Sequence, residues 1–442
     1  MSAPRTILYS MSAYALSFLI GVASADDAYT YPVSQSSSDG ATTSSDAKDS
    51  PPAEPKRKLV MPSGNPVMRP GAIRSFSSPV SAGGATSFEE NEVVVVSADI
   101  SGARIAEATA RSVGGNLLRR TTLDYLGIVI STFRLPPGVP PATAVQRLQA
   151  LDADLIVDVN HRYHLNGTGS DVMTQAFAQR QIRWPQDTHD CGRGVVIGLA
   201  DTAVNVADPA LDGAQIEQRR LVSAGHQPAS SAHGTAIAGL LVGSSHSHQF
   251  AGMVPAAKLI VADVFSRDGD QSVSTAENIA TGLEWLAGKA VKIVNVSFSG
   301  PANQILAVAI NRIQALGVQI VAAAGNDGPS ATEAYPAALD NVIAVTAVDA
   351  NDKIYESANA GRYIDLAAPG VDVWTIGGQR GRFSTGTSFA APFVTAALAA
   401  GLDRSVLESE AKDLGAAGVD STFGYGLLQI PTNFRCAQER VP

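Results

Sequence analysis

Asp201, His233, Asn326 and Ser388 carry side chains that in combination could attack a carbonyl carbon. A serine hydroxyl is a weak nucleophile until a neighbouring imidazole takes its proton. A carboxylate on the far ring nitrogen fixes the tautomer and stabilises the cation that forms. The oxygen that becomes negative needs aimed donors, and the Asn326 amide and the Ser388 backbone N–H at a helix start are of the right type. Singly, each residue has a plainer reading. Asp201 could end a strand as a turn or cap residue, His233 could open an ordinary helix, Gly325-Asn326-Asp327-Gly328 could be a turn that tolerates positive φ, and Ser388 could be an N-cap. Together, in this order, they point to acyl transfer.

The segments around them say how they could meet. Asp201 follows the apolar run Val195–Leu199, and Asn326 follows Ile320–Ala323. His233 opens a small-residue stretch, and Ser388 opens the most apolar helical stretch of the chain. Further apolar runs cover Leu259–Val264, Ile293–Val296 and Val342–Val345, apolar at consecutive positions as in strands covered on both faces. Between them Ile279, Leu283 and Leu286 fall at helical spacing, as do Leu306, Ile310 and Ile313, the latter between an N-cap at Asn303 and Gly317. The expected fold is α/β, a mostly parallel sheet with helices on both faces. Strand C-termini and the N-termini of the following helices share one edge of such a sheet, where ligands bind.

The segments Asp201-Thr202, His233-Gly234-Thr235, Ala324-Gly325-Asn326 and Gly386-Thr387-Ser388-Phe389-Ala390-Ala391-Pro392 resemble those of the subtilisin-like serine proteases, over roughly residues 185 to 430. The resemblance implies that Asp201 orients, His233 is general base and acid, Ser388 is the nucleophile and Asn326 donates to the oxyanion. It also implies that Ser297, Phe298, Ser299 and Gly300 pair with an extended substrate. Ala323 and Gly325, with Ser297 and Ser299, would then border the first specificity pocket. Ser299 stands where the family commonly has glycine. The loop Ser244 to Gln249, a calcium loop in some relatives, holds Ser, His246 and His248 instead of the oxygen ligands calcium prefers, so no calcium site is identifiable and no metal or cofactor is expected for catalysis.

The rest of the chain places this domain in context. Residues 1–25 read as a signal peptide: Arg5, an apolar stretch, then Ala23-Ser24-Ala25. Residues 26–88 are rich in Ser, Pro, Asp and Gly and read as a disordered linker. Residues 89–167 read as a small α+β domain, with strands at Val93–Val96, near Leu117, at Leu126–Phe133 and at Leu155–Val159, and helices at Ile105–Ser112 and Pro141–Leu151. Its size and position resemble the inhibitory propeptide ahead of many subtilisin-like domains, and residues 168–442 would be the catalytic domain. Export makes a disulfide between Cys191 and Cys436 possible, two unpaired thiols being the alternative. A net charge of −9 disfavours nucleic acid as a partner. The expectation is a secreted or periplasmic, monomeric serine endopeptidase made as a self-processed zymogen, acting on polypeptides, inhibited by its own propeptide and free of the membrane after signal cleavage. A catalytically silent peptide-binding relative and a surface scaffold are the alternatives.

Overall fold

Val93, Val94, Val95 and Val96 are all buried, although side chains along a strand point alternately to opposite faces. The computed structural model, which describes residues 88–165, 168–170, 177–244, 251–377 and 381–436, shows why. The small domain runs β1 (Phe88–Ser97), α1 (Ile100–Ser112), β2 (Asn116–Leu123), β3 (Ile128–Arg134), α2 (Pro141–Leu151) and β4 (Ile156–Leu165). Its antiparallel sheet has the order β2-β3-β1-β4. Val93 and Val95 pack with Ala106, Ala110, Ala144 and Leu148 of its own two helices. Val94 and Val96 pack instead into a core that includes Leu283, Leu286, Ile310 and Ile313 of the larger domain. One face of the small sheet is therefore completed only by the rest of the chain.

The larger domain continues with β5 (Thr168–Ser170), α3 (Ala178–Gln181), β6 (Val196–Asp201), β7 (Gln215–Arg220), α4 (Ala232–Val242), β8 (Lys258–Asp263), β9 (Ser266–Asp268), β10 (Gln271–Thr275), α5 (Ala276–Ala287), β11 (Ile293–Val296), β12 (Phe298–Ser299) and α6 (Gln304–Ala315). It ends with β13 (Gln319–Ala323), β14 (Val342–Val348), β15 (Leu366–Pro369), β16 (Val373–Thr375), β17 (Arg382–Thr385), α7 (Thr387–Ala399) and α8 (Arg404–Glu410). A parallel sheet of order β15-β14-β13-β11-β6-β8-β7 forms its centre. Helices α4 and α7 pack in one core with Ile197, Leu199, Val321 and Val345. Helices α5 and α6 pack in another with Val294, Val296, Ile320 and Ala344. The expected two-faced α/β fold is present.

Several elements differ from expectation. Strand β4 extends beyond Val159 to Leu165, because its last residues pair with β10 and β12 of the larger domain. Helix α1 begins at Ile100, five residues earlier, where the Asp99 carboxylate caps it by accepting from Gly102 N at 2.8 Å. Strand β1 begins at Phe88, the last residue assigned to the linker. The signal peptide and the remainder of the linker lie outside the described residues.

Candidate active site

Strand β6 ends on Asp201, whose carboxylate is fully buried. His233 is the second residue of α4, and its Nδ1 lies 2.8 Å and 3.0 Å from the two Asp201 oxygens. Asp201 Oδ1 also accepts from Thr202 N at 2.7 Å. The Thr202 hydroxyl in turn accepts from Gly234 N at 2.9 Å, tying the end of β6 to the start of α4. A Cβ at position 234 would sit 2.5 Å from the Thr202 carbonyl oxygen, so glycine is required for this approach. The Phe389 ring covers the imidazole at 5.3 Å between centroids. Beside Asp201, burial raises the carboxyl of Asp263 at the end of β8, against the opposing pull of Arg220.

Ser388 is the second residue of α7, after Gly386 at φ 146°. Its hydroxyl donates to the Ser297 carbonyl at 2.7 Å. His233 Nε2 has no hydrogen-bond partner among the described residues. Asn326, after β13, is oriented by Thr387: its Oδ1 accepts from Thr387 N at 3.1 Å and from Thr387 Oγ1 at 2.9 Å. That leaves the amide NH₂ as the free end of the Asn326 side chain. Gly325 holds φ 109°, and a Cβ there would press on the Asn359 amide at 2.8 Å. The groups are those of acyl transfer: an imidazole braced by a carboxylate, a serine hydroxyl at the start of α7, and the Asn326 amide held by Thr387 at that helix start.

The remaining predicted positions form an edge beside Ser388. Ala323 ends β13, and Gly325 N donates to Thr387 Oγ1 at 3.2 Å. Ser297 is bonded to Ser388, Phe298 and Ser299 form β12, and Gly300 bridges to Tyr335. That edge is occupied. Leu165 and His164 of β4 pair with Phe298 and Ser299, and β10 pairs with the opposite side of β4 through Val273–His164 and Ser274–Tyr163. Tyr163 is fully buried, edge-on to Phe298, with a Cβ at Gly300 excluded by its ring. On the other flank, β17 pairs with β5, Thr385 opposite Thr168, three residues before Ser388.

Further contacts hold the small domain in place. Glu284 of α5 accepts from Tyr125 N and Leu126 N, both at 2.9 Å. Glu277 accepts from Arg119 and from the Thr132 hydroxyl. Asp158 accepts from Gln304 N at the start of α6 at 3.1 Å, and burial pushes its carboxyl up to about 6. His161, bonded to the Asn303 amide at 2.9 Å, is lowered by burial to about 4. Glu277 and Glu284 do not stand out in the sequence. Thr202 and Thr387 lie within the family-like segments, but their orienting roles are not legible there: Thr202 adjoins Asp201, whereas Thr387 orients Asn326 from 61 residues away.

Cys191 and Cys436 are joined as a disulfide with Cα atoms 4.8 Å apart. Among the described residues no three His, Cys, Asp or Glu side chains gather as a metal site; His246 and His248 lie outside them.

The subtilase family model matches residues 192–426, more than half of the chain and all four of Asp201, His233, Asn326 and Ser388. A thermophilic serine proteinase of Bacillus sp. (strain AK1) is 35% identical over 221 residues, 49% of this chain and 54% of that protein. Subtilisin DY of Bacillus licheniformis is 31% identical over 256 residues, 54% of this chain and 90% of that protein. The chain thus spans about half the length of the former and nearly all of the latter. In fold it is similar to fervidolysin from Fervidobacterium pennivorans, a keratinolytic enzyme related to subtilisin, with a TM-score of 0.63, 21% identity, and coverage of 77% of this chain and 60% of that one. The chain belongs to the subtilase family.

Proposed function

We propose that this protein is an exported serine endopeptidase made as a precursor whose small N-terminal domain occupies its own cleft. The observation that carries the reading is the Asp201–His233 pair beside Ser388 and Asn326, on the sheet edge where an extended strand is already paired. In the reaction the Ser388 hydroxyl turns from the Ser297 carbonyl to His233 Nε2, gives up its proton and attacks the scissile carbonyl. Asp201 holds Nδ1–H, so Nε2 is the accepting atom, and stabilises the imidazolium. The Asn326 amide and the Ser388 N–H receive the developing oxyanion. His233 then protonates the leaving amine, and water hydrolyses the acyl-enzyme by the same steps reversed.

The zymogen reading is supported by β4 lying between β12 and β10 as a substrate strand would, and by β5 leaving along β17 on the far side of Ser388. Self-cleavage between Leu165 and Thr168 fits both registers. Residues 1–25 carry the export reading. Labelling of the cleaved form with a serine-directed fluorophosphonate tests the function: mass spectrometry should find the adduct on Ser388, and a folded, cleaved protein that stays unlabelled would sink the reading. Amino-terminal sequencing of the mature form tests the cleavage point.

A further inference from the structure

The nucleophile's helix contains a proline at a costly place. Pro392 has no N–H to offer the carbonyl four residues earlier, which is that of Ser388. That buried carbonyl is instead satisfied from the strand side, where Ser297 Oγ donates to it at 3.0 Å. Two more buried polar groups stand behind Ser297. Asn295 Nδ2 meets Ser297 Oγ at 2.7 Å, and Thr395 Oγ1 meets Asn295 Oδ1 at 2.8 Å. Ser388, Ser297, Asn295 and Thr395 are all fully buried.

The chemistry of these groups allows one direction only. A carbonyl can only accept, so the Ser297 hydroxyl spends its single proton on Ser388 O. Ser297 Oγ can then only accept, which turns the NH₂ of Asn295 toward it. Asn295 Oδ1, facing the other way, needs a donor, and the Thr395 hydroxyl is that donor. Thr395 lies seven residues after Ser388 on the same helix, among Phe393, Val394, Ala396 and Ala397, where a hydroxyl is unfavourable without a partner. Mid-helix threonines commonly bond back to their own helix; this one reaches across to β11. Together the bonds lock α7 to the strand that carries both the substrate edge and the carbonyl on which the Ser388 hydroxyl rests.

We propose that Thr395 is a positioning residue for Ser388, acting through Asn295 and Ser297, and this inference rests on the peptidase reading above. Removing the Thr395 hydroxyl frees the Asn295 amide to rotate and present its oxygen to Ser297. The Ser297 proton is then drawn from Ser388 O, and the start of α7 shifts relative to His233. Thr395 touches neither substrate nor reacting atoms, so the loss falls on the chemical step.

The test expresses the full-length parent, Thr395→Val, Thr395→Ala and Thr395→Ser, and compares the self-cleaved forms, with activity normalised to titrated active sites. For Val and Ala, kcat on a chromogenic peptide and the rate of fluorophosphonate labelling should both fall roughly 10- to 100-fold, with KM unchanged within about twofold. Thr395→Ser should restore both rates. Thr395→Ala removes the hydroxyl without β-branched crowding, so the test stands if Thr395→Val does not accumulate. Parent-like rates in Val or Ala, or a Ser variant no better than Val, would overturn the proposal. A parent protein that neither labels nor hydrolyses would overturn the peptidase reading, and this inference with it.

Discussion

Ser388 Oγ and the Ser297 carbonyl form a 2.7 Å hydrogen bond, and the imidazole nitrogen that would receive the Ser388 proton has no partner among the described residues. A hydrogen bond from Ser388 to His233 has to replace this one before the proton can pass. Such bonds are often absent or long before a substrate is in place. Ser297 precedes β12 directly, so an extended chain continuing the β4 register past Leu165 brings its next backbone amide to the same carbonyl. Under the proposed function, a substrate in that register would compete with the nucleophile for one acceptor.

Ser388→Ala should abolish peptide hydrolysis and leave a folded, uncleaved precursor in a protease-free host, read by mass. Maturation of that variant would show that another enzyme makes the cut.

Asn326→Ala should lower kcat by about 10²–10³, the usual cost of removing one oxyanion donor, with little change in KM. Thr387→Val should reproduce part of this loss, because Thr387 Oγ1 orients the Asn326 amide at 2.9 Å. Steady-state kinetics decide; an effect confined to KM would place Asn326 away from the chemistry.

Arg119→Ala should weaken the hold of the small domain. Glu277 is buried, and losing the guanidinium leaves its charge without a cation. Arg119 is part-exposed, so the cost should fall below the roughly 3 kcal/mol of breaking a fully buried pair. In a Ser388→Ala background this should appear as a lower melting temperature, with little loss from Arg104→Ala, an exposed arginine on α1, as control.

Buried His161 and half-buried Asp158, both at the small-domain interface, should oppose each other in acid. His161 is lowered to about 4 from 6.5, so between those pH values the unfolded chain takes a proton that the folded one refuses, and stability falls as pH falls. Asp158 is raised to about 6 from 3.8, so over that window the folded chain takes the extra proton and stability rises as pH falls. Relative to the uncleaved parent at each pH, Asp158→Asn should lose melting temperature between pH 6.5 and 4. His161→Gln should gain it over the same interval. Parallel melting curves for both variants would contradict the assignment.

Cys191 and Cys436 close a loop with a sequence separation of 245. Chain entropy alone gives such a bond about 5 kcal/mol as an upper figure. Paired Cys→Ser replacement should lower the denaturation midpoint accordingly, and alkylation of the denatured, unreduced protein should modify neither cysteine.

The groups proposed for catalysis were legible because each ends a strand or starts a helix within a few residues of a glycine or small-residue signal. The parallel strands β6, β8, β11, β13 and β14 were legible because burial on both faces leaves them largely apolar. What stayed hidden depends on partners far away in sequence. Asn160 to Leu165 opens with three polar residues, so no strand pattern announces it, and it continues as strand where β10 and β12 flank it. Strand β7, Gln215–Arg220, sits at a sheet edge with polar, largely exposed side chains, so no apolar run announces it. Glu277 and Glu284 look like solvent-facing helix residues; that they receive Arg119 and two backbone N–H groups follows only from the docking of the small sheet.

Strand β4 belongs at once to the small sheet and to the edge beside Ser388, within one continuous chain. Its presence at that edge is therefore independent of how dilute the protein is. While the connection is intact the strand acts at a fixed effective concentration, typically millimolar or above for a short tether. Once the connection is cut, the same strand becomes an ordinary ligand whose occupancy falls with dilution. A single bond cleavage would thus convert concentration-independent blockade into one that ends when the protein disperses.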